Sequence, residues 1–146
     1  MEFTACTRNL THRATFKMLG AAMKAAEAIG QPQCIVIVDA SGELLGEIRM
    51  TGSKFLSRRS ARAKARTAAS IGAPSTAVPD AVRTQIAAAT GGEVTGLAGG
   101  LPIRIDGELL GGIGVGSGSP EQDLTVARAA LAAIGADADK SPKRDL

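Results

Sequence analysis

Residues 34–50 read CIVIVDASGELLGEIRM, and this stretch predicts a β-hairpin. Its β-branched first part is typical of a buried strand, the DASG at 39–42 supplies turn residues, and 43–50 predicts a second strand. A further hairpin is predicted at 101–115, where Asp106 and Gly107 form a two-residue turn. Because hairpins rather than long crossovers join most strands, we expect an α+β domain with a mainly antiparallel sheet.

The segments around the hairpins predict helices with recognisable ends. Thr11 is the expected N-cap of the first helix, and Ser119, Pro120 and Gln122 suit the N-cap, first position and capping box of the last. A fifth strand is predicted at 93–97. The predicted order is α-β-β-α-α-β-β-β-α, with helices at 11–29, 53–70, 79–90 and 120–134.

The size and composition of the chain indicate one domain. A length of 146 residues with 45% hydrophobic content is enough to bury a core. We assign the domain to 11–136, between an N-terminal arm at 1–10 and a flexible tail at 137–146. No apolar stretch approaches the ~20 residues that span a bilayer, and the two cysteines fit a reducing compartment. A cytoplasmic protein without a membrane partner is expected, with Cys34 buried.

The basic residues are concentrated in one segment. Between Glu47 and Asp80 the chain has seven basic residues and no acidic one; since the chain carries +3 in total, the remainder carries −4. Four of these residues recur at steps of four and form a basic stripe on one helix face. The stripe predicts an anion site, a contact with acidic residues, or a solvated or intersubunit face. Its members are Lys54, Arg58, Arg62 and Arg66.

Composition and motifs exclude several chemistries. One histidine and two distant cysteines cannot form a standard zinc site. Three Phe with no Trp or Tyr leave few stacking platforms, so a nucleic-acid partner is not expected. The glycine-rich run at 111–118 matches neither the dinucleotide fingerprint nor the P-loop. Its alternating glycines indicate close approach of a helix or another subunit, with backbone contact to an anion as the alternative.

Four groups of motifs carry a resemblance to a known family. They are VDASGELL at 38–45 with RMTG at 49–52, SARAKARTAA at 60–69, GGLPI at 99–103 with DG at 106–107, and GIGV at 112–115 with EQDLTVA at 121–127. In this order they resemble the GlcG/HbpS-like family, also described as haem-degrading or PduO C-terminal-like domains. The resemblance implies a profilin-like fold, homo-oligomeric assembly and haem as a candidate cofactor. The chain departs from the family pattern at Thr51, commonly Asp, and at 116–118, where GSG replaces Ser-Gly-Gly.

These observations favour an oligomeric small-molecule-binding protein with a cationic pocket for an anionic ligand. Haem is the candidate ligand, with His12 as its candidate iron ligand. One alternative is an enzyme of organic-acid catabolism, such as an isomerase, tautomerase or lyase, in which Arg49 binds a carboxylate and Lys64 is the catalytic base. A second alternative is a non-enzymatic oligomeric scaffold or sensor. The predicted ligand-binding residues are Arg49, Thr51, Thr67, Gly99 and Gly100.

Overall fold

The computed structural model describes residues 2–138, and within them four helices and four strands form an α+β domain, as expected. Two short 3-10 turns, Ser75–Ala77 and Asp80–Val82, precede the third helix. Met1 and residues 139–146, which belong to the predicted arm and tail, lie outside the described residues. The elements are α1 His12–Ala28, β1 Cys34–Asp39, β2 Leu44–Arg49, α2 Ser57–Ile71, α3 Arg83–Ala89, β3 Gly100–Ile105, β4 Glu108–Gly116 and α4 Pro120–Ala133.

The sheet is antiparallel throughout. In the described part of the chain it has four strands in the order β2-β1-β4-β3. Both predicted hairpins are confirmed. In the first turn, the Asp39 carboxylate accepts the N–H groups of Ser41 and Glu43 at 2.8 and 3.0 Å. In the second, Asp106 and Gly107 have φ of 52° and 78°, as a type I′ turn requires.

The prediction of a fifth strand at 93–97, and with it the predicted element order, is wrong. The N–H of Val94 donates to the Thr90 hydroxyl at 3.1 Å, and the N–H of Thr95 donates to the Thr67 hydroxyl at 3.0 Å. Threonine side chains thus take the place of a neighbouring strand as hydrogen-bond acceptors. Because Thr67 belongs to α2, this segment lies against α2 rather than beside β3.

Helices cover both faces of the sheet. Ile35 and Ile37 of β1 point to one face, where they share a core cluster with Met18 of α1 and Val126 of α4. The alternate β1 residues, including the buried Cys34, pack on the other face against alanines of α2. The basic helix α2 and the pair α1–α4 therefore lie on opposite faces of the sheet.

The alternating glycines of β4 let α2 lie directly on the sheet. A Cβ atom at Gly112 or Gly114 would overlap the carbonyl oxygen of Ala65 or Ala61, respectively. The predicted close approach of a helix is therefore confirmed. Because Ala61 and Ala65 of α2 lie over Gly114 and Gly112 of β4, this contact sets which face of α2 meets the sheet, and the arginines of α2 face away from β4.

The predicted helix caps are also confirmed. The Thr11 hydroxyl accepts the Ala14 N–H at 3.2 Å at the start of α1. Before α4, the Ser119 hydroxyl accepts the Gln122 N–H at 3.2 Å, and the Gln122 side chain accepts the Ser119 N–H at 2.9 Å. Among the residues described, no helix is both long and apolar enough to cross a membrane.

Candidate functional site

Four arginines of α2 line a cavity of about 510 Å³, which we call the arginine groove. Its walls come from β2, from the segment that leads into α2, and from the loop after α3. The contact of α2 with β4 fixes this arrangement, because it turns the long side chains of α2 outward. The residues that line it include Arg58, Arg59, Arg62 and Arg66 with Glu47, Glu93, Leu44, Phe55 and Leu56.

Two of the four groove arginines are engaged by acidic residues. Arg58 Nη2 lies 2.8 Å from Glu47 Oε1, and Arg66 Nη1 lies 2.6 Å from Glu93 Oε1. The hydrogen bond and charge of Glu47 raise the pKa of the Arg58 guanidinium. The predicted contact of the stripe with acidic residues is thus present at both of these positions.

The other two arginines have no such partner. Over residues 2–138, the guanidinium groups of Arg59 and Arg62 make no hydrogen bond or ion pair, and both side chains are exposed. They are three residues apart on α2, so they are neighbours on one helix face. Guanidinium groups bind carboxylates through paired N–H donors, so this pair can bind an incoming anion.

The groove also has an apolar wall. Phe55 is 67% exposed, Leu56 63% and Leu44 46%, although all three line the same cavity as the arginines. Exposed apolar groups beside unpaired cations suit a ligand that is apolar over most of its surface and anionic at one edge. Lys54, the first predicted member of the stripe, precedes α2 and lines a neighbouring cavity with Phe55 and Leu56.

Lys64 lies on the inner side of α2, away from the groove. Its Nζ donates to the carbonyl oxygen of Val115 at 2.8 Å and to Asp123 Oδ2 at 3.1 Å. Both members of this ion pair are buried. Burial raises the pKa of the Asp123 carboxyl, while the Lys64 ammonium and the N–H of Gly118 oppose that shift. The pair joins α2 to β4 and α4.

Three other predicted ligand-binding residues lie in the protein interior near Lys64 or α2. Thr67 is fully buried and accepts the N–H of Thr95. The N–H of Gly100 donates to the Ser75 hydroxyl at 3.0 Å. Gly99 is packed so closely that a Cβ there would lie 3.1 Å from Lys64 Nζ. Thr67 therefore links α2 to the segment at 93–97, and Gly100 links β3 to the 3-10 turn Ser75–Ala77.

Arg49 and Thr51 line a different cavity, of about 560 Å³, between the end of α1 and the end of β2. Two thioethers, Met23 and Met50, line it as well. Arg49 is on edge strand β2, whereas Lys64 contacts β4, two strands or roughly 10 Å away across the sheet. The structure therefore does not bring Arg49 and Lys64 into one site.

His12 is the first residue of α1, where its side chain is exposed. Since α1 and α2 cover opposite faces of the sheet, His12 does not line the arginine groove. The groove-lining residues include no histidine, cysteine or methionine. In the described part of the chain, no cluster of three His, Cys, Asp or Glu side chains could hold a metal ion.

Sequence reasoning missed the acidic and apolar residues of the groove. Glu47 comes from β2 and Glu93 from the segment that was predicted as a strand, so both are distant in sequence from their arginine partners. For Glu47, the hairpin register could have given the position. Glu47 of β2 pairs with Val36 of β1, and because Val36 faces α2, Glu47 faces α2 as well. For Glu93 no such signal existed.

Comparison with known proteins places this architecture in a family. The family described as haem-degrading protein HbpS-like matches residues 10–132, which include the whole sheet and the groove-bearing helix. The chain belongs to this HbpS-like family. The resemblance seen in the sequence motifs is thereby confirmed.

Individual proteins that this chain resembles extend the comparison. The corrinoid adenosyltransferase PduO of Citrobacter freundii is 33% identical over 140 residues, covering 90% of this chain and 42% of that protein. This chain thus spans less than half the length of the curated relatives it matches. The crystal structure of a PduOC:haem complex is 29% identical with a TM-score of 0.83, covering 91% of this chain and 100% of that one. The crystal structure of a double mutant of HbpS from Streptomyces reticuli is 32% identical with a TM-score of 0.81, and the match covers 90% of this chain and 91% of that one.

Proposed function

We propose that this chain binds an apolar anion of the haem type in the arginine groove. The observation that carries the proposal is the pair of unpartnered guanidinium groups at Arg59 and Arg62, beside exposed Phe55 and Leu56. Membership of the HbpS-like family supports haem as the first ligand to test, because one structural relative is a haem complex.

The groove fits one part of haem and not another. Haem carries two propionates on a flat apolar ring, and the two free arginines with their apolar wall match that combination. The iron has no candidate ligand among the groove-lining residues, since the axial donors of proteins are mainly His, Cys, Met and Tyr. We therefore assign the binding energy of this groove to the propionates and the ring, and derive no step from the iron.

We also propose that the chain assembles into a homo-oligomer. The support is the apolar surface at Phe16, which is 81% exposed on α1 and does not line the groove. Light scattering of the purified chain tests this part separately, since a monomer at micromolar concentration would contradict it and leave ligand binding open.

The test of the binding proposal is an absorbance titration with hemin near 400 nm. The variant Arg59→Gln/Arg62→Gln should bind hemin at least about tenfold more weakly, since a charge-assisted hydrogen bond contributes about 1.5–3 kcal/mol. The matched control is Arg13→Gln/Lys17→Gln, which removes the same charge from exposed positions of α1. Equal weakening by both variants, or by neither, would overturn the assignment to the groove.

A further inference from the structure

We propose that Glu47 and Glu93 determine the specificity of the arginine groove by limiting it to ligands with two carboxylates. This inference rests on the proposed function, because it concerns which anion the same groove accepts. Glu47 and Glu93 both line the groove themselves. Their effect follows from which arginines they occupy.

Each glutamate forms an ion pair with one arginine, and the two ion pairs lie toward opposite ends of α2. Arg58 with Glu47 lies toward the N-terminal end of α2, and Arg66 with Glu93 lies toward its C-terminal end. The two arginines are eight residues apart, or about 12 Å along the helix. The free residues Arg59 and Arg62 lie between them in sequence.

The charge of the groove then matches a dianion. Its lining contains four arginines and the two glutamates, so the net charge of these groups is +2. Arg59 and Arg62, as helix neighbours three residues apart, have Cβ atoms about 5–6 Å apart and can each take one carboxylate. A ligand with more negative charge would lie close to the Glu47 or Glu93 carboxylate, which repels it.

The same arrangement disfavours linear polyphosphates. A polyphosphate presents a row of charged oxygens with no apolar body, so it gains nothing from Phe55 and Leu56 and needs more than two guanidiniums. Replacing the two glutamates by glutamine would release Arg58 and Arg66 and give a row of four free arginines. The structure therefore predicts that the glutamates keep an arginine-rich helix from binding polyanions.

The experiment compares two probes, protoporphyrin IX and inorganic tripolyphosphate, on the intact chain at fixed ionic strength. Protoporphyrin IX binding is followed by the porphyrin's own visible fluorescence. Tripolyphosphate binding is followed by calorimetry. The variant is Glu47→Gln/Glu93→Gln, and the control is Glu43→Gln, whose side chain is exposed and does not line the groove.

We expect Glu47→Gln/Glu93→Gln to bind tripolyphosphate at least about tenfold more tightly than the wild type, and to bind protoporphyrin IX within about threefold of it. The Glu43→Gln variant should match the wild type for both probes. Unchanged tripolyphosphate affinity in the double variant would overturn the specificity role. If the wild type binds no porphyrin, the proposed function fails instead, whereas a gain in tripolyphosphate affinity would still support the role of the glutamates. Circular dichroism confirms that each variant is folded.

Discussion

Replacing Lys64 with methionine should destabilise the fold. Methionine has a similar length and fills the same space, so the main loss is the ammonium, which binds Val115 O and Asp123 Oδ2 at 2.8 and 3.1 Å. The ion-pair side chains are only 6% and 4% exposed, so water cannot solvate the carboxylate that is left behind. Breaking a buried pair from one side costs about 3–5 kcal/mol, and we expect Lys64→Met to lose that amount.

Urea unfolding followed by far-ultraviolet circular dichroism measures this loss without relying on aromatic fluorescence. Lys17→Met is the matched control, because Lys17 is exposed on α1, and its change should stay within about 0.5 kcal/mol. The double variant Lys64→Met/Asp123→Asn should be more stable than Lys64→Met, since no buried charge remains. If Lys64→Met is as stable as the Lys17→Met control, the pair does not hold α2 to α4.

Other positions give further predictions. Gly114→Ala should lower the free energy of unfolding in urea by more than about 3 kcal/mol, because the new Cβ would overlap Ala61. Gly20→Ala, with nothing within 4 Å of its Cβ, should raise that free energy by about 0.5–1 kcal/mol. Similar values for the two variants would contradict the packing of α2 on β4. Ser119→Ala should cost about 1 kcal/mol through loss of the capping box, and no loss would show that the cap is dispensable. Because burial raises the pKa of Asp123, the folded state binds its proton more tightly. The free energy of unfolding of the wild type relative to Asp123→Asn should therefore fall as the pH rises above about 4, and a rise would contradict the shift.

Local features of the fold could be predicted from the sequence because their causes are local. The turn at Asp106 and Gly107 needs only positive φ at two adjacent residues, and the cap at Ser119 needs only a hydroxyl and Gln122 three residues on. The close contact of a helix with the β4 glycines was also predictable, since alternate residues of a strand share one face.

Features that depend on distant partners could not be predicted. The segment 93–97 has the composition of a strand, but hydroxyls such as that of Thr67 accept its N–H groups. Burial of Lys64 among alanines predicted a specific partner, yet not that Asp123 would be that partner. The basic stripe predicted an anion site, while the engagement of two of its arginines depends on Glu47 and Glu93 from other elements.

The central claim is that Arg59 and Arg62 bind the carboxylates of an apolar ligand. It is tested most directly by comparing protoporphyrin IX with its dimethyl ester, on the wild type and on Arg59→Gln/Arg62→Gln, by porphyrin fluorescence. We predict that esterification weakens binding to the wild type by at least about tenfold and changes binding to the variant little, which gives a coupling of more than about 1.4 kcal/mol. Equal effects of esterification on both proteins would contradict the claim.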